Sequence, residues 1–286
     1  MQSGTLILRF RKVARPAAGW LFVFVCALAF GLRSARGGEA PQPLTRVHAH
    51  NDYVHTHPLF DALDCGFCSV EADVHLVDGQ LLVAHERISV KPGRTLQKLY
   101  LDPLRERVQK NGGRVYANGP EFVLLVELKS DWKTSYPVLR EILAQYSSIL
   151  TTYRGDQKET NAIRVIITGH RAREMFAGET VRYAALDGDL PDLETDAPAS
   201  LVPWISTDWT KPFKWRGSGP FPEAEKAKLR ELVAKAHQQG RRIRFWDAPD
   251  VPAFWKEMLA NDVDLINTDD LPGAQKFLLE HQNQAR

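Results

Sequence analysis

Forty residues near the start of the chain constrain its fold more than any other stretch. Val47-His48-Ala49-His50-Asn51-Asp52, Ser69-Val70-Glu71-Ala72-Asp73-Val74 and Leu82-Val83-Ala84-His85-Glu86 are three apolar runs, each carrying ionisable side chains at its C-terminal end. Parallel sheets and barrels collect their chemistry at that end of their strands. Side chains on a strand alternate between faces, so Glu71 and Asp73 share one face and Val70, Ala72 and Val74 take the other. His48 and His50 share a face by the same rule. Two carboxylates side by side repel unless a proton or cation lies between them, and the hard divalent ions Mg²⁺ and Ca²⁺ suit such a pair.

A third acid follows in Phe122-Val123-Leu124-Leu125-Val126-Glu127-Leu128-Lys129, where Glu127 and Lys129 fall on one face. An acid within an apolar run is costly to bury without a partner. Glu127 therefore reads as a metal ligand and Lys129 as a charge that neutralises phosphate.

Ala49-His50, Glu71-x-Asp73, His85 and Glu127-x-Lys129, in this order, resemble the glycerophosphodiester phosphodiesterases of the phospholipase C-like phosphodiesterase superfamily. The wording His-Ala-His-Asn-Asp-Tyr, Ser-Val-Glu-Ala-Asp-Val and Leu-Leu-Val-Ala-His is similar to the branch typified by altered inheritance of mitochondria protein 6. The similarity continues through Arg244-Phe245-Trp246 to Leu265-Ile266-Asn267-Thr268-Asp269. The resemblance implies a metal-dependent phosphodiesterase acting on a glycerophosphodiester- or phospholipid-type substrate. His50 and His85 would exchange protons, and Glu71, Asp73 and Glu127 would hold one Mg²⁺ or Ca²⁺. Lys129 and Asn51 would face the phosphate, although Asn51 stands where typical members have arginine and so gives up a bidentate contact. Trp246 and His48 are candidates for the substrate pocket, His48 alternatively being a hydrogen-bonded core residue. Asp269 reads as the cap of a turn.

Two other readings compete. His48-x-His50 also resembles the metal pair of amidohydrolases and of polymerase-and-histidinol-phosphatase-type phosphoesterases, which hold zinc or manganese and need further histidines at later strand ends. Here only His170 is placed for that, since His237 falls in a helix and His281 in the tail. A barrel that keeps the site without turnover, binding a phosphate ligand, is the non-enzymatic reading.

Residues 1 to 40 stand apart. Arg9, Arg11, Lys12 and Arg15 precede the apolar stretch from Trp20 to Leu32, and small residues follow. This reads as a signal peptide cleaved near 37 to 40, or as an uncleaved anchor, with export to the periplasm or outside the cell expected. The segment holds six of the 37 basic residues and one of the 35 acidic ones, which leaves 31 against 34. A slightly acidic remainder disfavours nucleic-acid binding and leaves at most peripheral membrane contact. Cys65 and Cys68 fit a local disulfide or plain packing better than redox chemistry.

Residues 41 to 286 suggest one (β/α)₈ barrel, with candidate strands at 45 to 50, 68 to 74, 81 to 85, 122 to 128, 163 to 168, 181 to 186, 202 to 206, 242 to 246 and 263 to 267. Helical patterns cover Leu96 to Asn111, Tyr136 to Tyr146, Pro222 to Gln239 and Val251 to Asn261. Nine strands are one too many, and 181 to 186 or 202 to 206 reads as a loop-side extension. Eleven residues between Asp73 and His85, with Asp78-Gly79 at their centre, leave no room for a crossover helix, so the barrel is distorted, with the helix between strands 2 and 3 missing.

Overall fold

The computed structural model describes residues 41–155 and 157–284, so the stretch read above as a signal peptide or anchor lies outside the described residues. Eight parallel strands form the barrel: β1 (Val47–Ala49), β2 (Ser69–Val77), β4 (Phe122–Leu128), β7 (Ile163–Gly169), β8 (Ala185–Gly188), β9 (Trp204–Asp208), β10 (Arg242–Trp246) and β11 (Ile266–Thr268). A bridge between Arg244 and Leu265, with the Asp264 N–H on the Ile243 carbonyl at 3.2 Å, joins β10 to β11. The remaining strands stand off this circle. β3 (Gln80–Val83) runs antiparallel to β2, and β5 (Thr152–Arg154) pairs with β6 (Gln157–Glu159) as a separate hairpin.

The surplus strand is thus β3. Both β8 and β9 are barrel strands, contrary to the expectation that one of them is an extension. No helix separates β2 from β3, as the short spacing requires, and β3 folds back beside β2 because a tight turn can only reverse the chain. His85 follows β3 as a loop residue, and the Ala84 N–H on the Asp73 carbonyl at 3.2 Å keeps it level with Asp73.

The outer layer contains α1 (Phe60–Asp64), α2 (Asp102–Lys110), α3 (Trp132–Ala144), α4 (Glu223–Gln238), α5 (Pro252–Ala260) and α6 (Leu271–Gln284). The crossovers β7–β8 and β8–β9 carry only short 3₁₀ turns, at Arg173–Phe176 and Leu190–Glu194. Helix α4 buries Leu229, Val233 and Ala236, its apolar stripe. Helix α3 begins earlier than its apolar pattern because the Asp131 side chain caps it at the Lys133 N–H. Helix α6 occupies residues expected to be a tail, and its Leu271, Ala274 and Leu278 join the core.

Alternation divides the barrel into two hydrophobic regions. Val70, Ala72 and Val74 of β2 and Leu124, Val126 and Leu128 of β4 face the helices in the main core. Val123, Leu125, Ile166, Trp204 and Leu265 form a separate plug inside the barrel. On β4 the same inward face carries Val123 and Leu125 below and Glu127 above, so the plug is the floor of the site.

The loop after β1 is anchored by a buried acid. Asp52 Oδ2 accepts the Leu59 N–H at 2.6 Å and the Tyr100 hydroxyl at 2.8 Å, and Oδ1 has no partner. Burial pushes this carboxyl up to about 7, from 3.8. A carboxyl whose pKa is raised by folding contributes stability below its unfolded pKa and loses it as pH rises through the folded one, here on the order of 4 kcal/mol from pH 4 to 7. Thermal melts across this range should therefore find Asp52→Asn gaining stability relative to the natural chain as pH rises. A difference in Tm that does not change with pH would refute the assignment.

Candidate active site

The C-terminal ends of the strands surround a cavity of about 340 Å³. Glu71, Glu127, Lys129, His50, His85, Asn51 and Trp246 all line it, and Asp73 lies directly beneath His85 and Lys129. Asp73 pairs in register with Glu127 across β2 and β4, and one oxygen from each of Glu71, Asp73 and Glu127 falls within 4.8 Å of the others. Burial, and then the charge of Glu71, raise the pKa of Asp73; burial, Asp73 and Glu71 raise that of Glu127. Lys129 lies 3.2 Å from Asp73 and 3.1 Å from Glu127; burial works against its charge, and the two carboxylates more than offset it.

These acids fit a divalent cation. Asp73 Oδ2 is crowded by the Tyr53 hydroxyl at 2.7 Å, His85 Nδ1 at 3.1 Å and Lys129, whereas its buried Oδ1 has no hydrogen-bond partner. Three carboxylates offer oxygen alone, the donor set of Mg²⁺ or Ca²⁺ rather than of zinc. The zinc-type reading lacks the further histidines it needs at later strand ends: His237 bonds Asp264 at 2.9 Å on α4, and His170 is not in the cavity wall.

His48 is the extra histidine, and it is a support rather than a pocket residue. It is fully buried, with Nδ1 2.7 Å from Ser69 Oγ, Nε2 3.2 Å from Glu71 Oε2 and its ring 5.9 Å from that of Trp204. Burial, helped by Arg244, brings its pKa down to about 4, so the ring is neutral near pH 7, donating from Nε2 to Glu71 and accepting the Ser69 hydroxyl. Arg244 Nη1 stands 3.6 Å from the same Glu71 oxygen. Burial raises the Glu71 pKa, yet the bond from His48 and the charge of Arg244 hold it well below the ordinary carboxylate range.

The two cavity histidines have different supports. His50 Nδ1 lies 3.0 Å from Asp269 Oδ1, and Asp250 Oδ2 fixes Asp269 by accepting the backbone N–H groups of Asp269 and Asp270 at 2.9 and 3.1 Å. Burial lowers the His50 pKa, but Asp269 and Glu71 overcome it and raise the net value. Asp269 therefore does more than cap its turn. His85 Nδ1 meets Asp73 Oδ2 and, at 3.0 Å, the Tyr53 hydroxyl. Tyr53 also donates toward Asn51 Oδ1 at 2.6 Å. The Asn51 amide donates to Asp269 Oδ1 at 3.4 Å, and its nitrogen lies 2.9 Å from His50 Nδ1, so this side chain shares the Asp269 carboxylate with His50.

The opposite half of the cavity escaped the motif-based reading. Arg244, Asp187, Ser206, Thr168 and Arg171 line it. Arg244 bonds Ser206 Oγ and Asn267 Oδ1, both at 2.8 Å, and Ser206 donates to Asp187 at 2.7 Å. The period-two rule applied to Arg244 and Trp246 on one strand was the available signal, since both point inward. Trp246 stands at the rim with Lys211 Nζ 5.8 Å from its ring. Cys65 and Cys68 are free thiols, and Cys68 is buried.

A parallel α/β barrel with three converging carboxylates and two histidines on one cavity at its strand ends is the class that this geometry defines. Its fold is shared with a glycerophosphodiester phosphodiesterase from Parabacteroides distasonis at a TM-score of 0.50 and 16% identity, covering 85% of this chain and 99% of that one. The profile of the AIM6-like phosphodiesterase domain matches residues 41–187. Altered inheritance of mitochondria protein 6 of Eremothecium gossypii is 32% identical over 82% of this chain and 69% of its own length, and its Saccharomyces cerevisiae counterpart is 30% identical over 79% and 68%. The homolog from Arthroderma benhamiae is 26% identical over 84% and 85%. The chain belongs to the AIM6-like phosphodiesterase family.

The same relatives correct one expectation. Their name refers to the inheritance of mitochondria and not to export, so the periplasmic or secreted location read from residues 1 to 40 does not stand. Among the described residues no helix is long and apolar enough to cross a membrane.

Gly169 closes the site from behind. Its φ is +74°, and a Cβ there would lie 2.6 Å from Glu127 Cγ and 2.6 Å from the Leu128 carbonyl oxygen. Gly169→Ala should displace Glu127 and weaken Mn²⁺ binding, followed by electron paramagnetic resonance, roughly ten- to a hundredfold. Unchanged affinity in a folded variant would show that the loop yields instead of the ligand.

Proposed function

We propose that this chain is a divalent-metal-dependent phosphodiesterase that cleaves a glycerophosphodiester- or phospholipid-type diester by acid-base catalysis between His50 and His85. The observation that carries the reading is the unpartnered Asp73 Oδ1 inside a triad of converging carboxylates, with both imidazoles on the same cavity. Glu71, Asp73 and Glu127 would hold Mg²⁺ or Ca²⁺, which when bound polarises a phosphoryl oxygen.

Each remaining need of the reaction falls to a residue of the chain. Lys129, kept charged by its two acids, offers an ammonium to the phosphoryl group. One imidazole accepts the proton of the attacking oxygen and the other delivers a proton to the leaving oxygen. Asp269 holds the Nδ1–H of His50 and leaves Nε2 for proton transfer. Asp73 and Tyr53 do the same for His85, whose Nδ1 they share. Asn51, Trp246 and His48 shape the surroundings, Asn51 and His48 by orienting His50 and Glu71 and Trp246 as an aromatic wall.

Hydrolysis of bis(p-nitrophenyl) phosphate tests the reading. EDTA should abolish it and Mg²⁺ or Ca²⁺ restore it, and His50→Ala and His85→Ala should each reduce kcat roughly 10²- to 10⁴-fold. Glu71→Ala should lose cation binding as well as turnover. Absence of turnover with every ion tried, or full activity in Glu71→Ala, would overturn it.

A further inference from the structure

The cavity contains three cationic side chains, and they are not equivalent. Lys129 is paired with Asp73 and Glu127. Arg244 is buried and shared among Glu71, Asp187, Ser206 and Asn267. Arg171, two residues beyond the end of β7, is held differently: its Nε donates to the Asp187 carbonyl and its Nη1 to the Gly169 carbonyl at 3.5 Å. Both acceptors are backbone oxygens without formal charge, and Arg171 forms no ion pair among the described residues. Asp187, the acid that feels its charge through space, already takes the Ser206 and Thr168 hydroxyls and Arg244.

A guanidinium never loses its proton in a protein, so an arginine lining a cavity without a counter-charge is stabilised when a ligand brings one. Anchoring to carbonyls fixes the plane of the fork in advance, which lowers the ordering cost of a bidentate contact. Pre-set planar donors opposite a carboxylate triad match oxygens on phosphorus.

Accepting the phosphodiesterase reading, on which this rests, we infer that Arg171 is a further binding residue of the site and takes an anionic phosphoryl oxygen of the substrate. Two parts of a substrate offer that chemistry: the diester's own non-bridging oxygen, or a phosphate monoester carried by one alcohol arm. Thr168, Asp187, Asp189 and Ser206 line the same cavity as Arg171.

Calorimetry distinguishes the two sources without turnover. The metal-loaded chain carrying His85→Ala would be titrated with glycerophosphoinositol and with glycerophosphoinositol 4-phosphate, each with and without Arg171→Gln. An equal loss of tenfold or more for both ligands places Arg171 on the diester oxygen. A loss of that size confined to the 4-phosphate places it on the arm. Arg171→Lys should fall between Gln and Arg, and Arg173→Gln, whose parent residue is paired with Asp192, should change neither affinity. Less than a twofold change for both ligands in Arg171→Gln, with Mn²⁺ affinity and circular dichroism unaltered, would overturn the assignment. Because binding is the readout, that failure is distinct from an absence of hydrolysis by the natural chain.

Discussion

Like charge packed at the mouth of a barrel is the constraint on which the rest of this structure depends. Asp73 and Glu127 face each other across adjacent strands, and Glu71 lies one pleat below on the face of Asp73. Carboxylates so placed can stay ionised only beside compensating charge. Lys129 compensates from above and Arg244 from below, the neutral His48 adding only a hydrogen bond to Glu71, and the unpartnered oxygen of Asp73 marks where compensation remains incomplete. A divalent cation bound there would replace three repulsions by three attractions at once.

The support beneath the triad explains why the barrel interior is polar so far down. Ser69, His48, Glu71 and Arg244 form a connected series that continues through Ser206 to Asp187, spanning β2, β1, β10, β9 and β8. Each polar group named there has a partner, which is the condition under which a buried network rigidifies and does not destabilise. Below it the Trp204 plug closes the barrel, with the Arg242 and Arg244 guanidinium carbons 5.8 and 5.9 Å from its ring. Glu71 is thereby held in one position, whereas His85 and Lys129 above it stand nearer to solvent.

Much of this could be read directly along the chain, because alternation on a strand is a local property. Glu71 with Asp73, and Glu127 with Lys129, needed only the pleat to be placed on common faces, and the apolar residues between them fell on the helix-facing side as expected. The barrel class was legible for the same reason. Errors arose where the partner of a strand mattered: 81 to 85 has the composition of a barrel strand, and only its antiparallel pairing with β2 removes it from the circle. Helix α6 was missed because its apolar residues, Leu271, Ala274 and Leu278, are spaced among polar ones and acquire their meaning only against the core.

The identity of the acids, histidines and lysine, and the strand ends that carry them, were determined by the sequence alone, since period-two geometry acts within a few residues. Which of them work together was decided only by the tertiary structure. Asp269 reaches His50 across 219 positions, Arg244 reaches Glu71 across 173, and Tyr53 joins Asn51, Asp73 and His85 at one hydroxyl. The reason is physical: hydrogen bonds and charge interactions depend on distance in space, and closing the barrel brings β1, β2, β10 and β11 together in a way that no local pattern encodes.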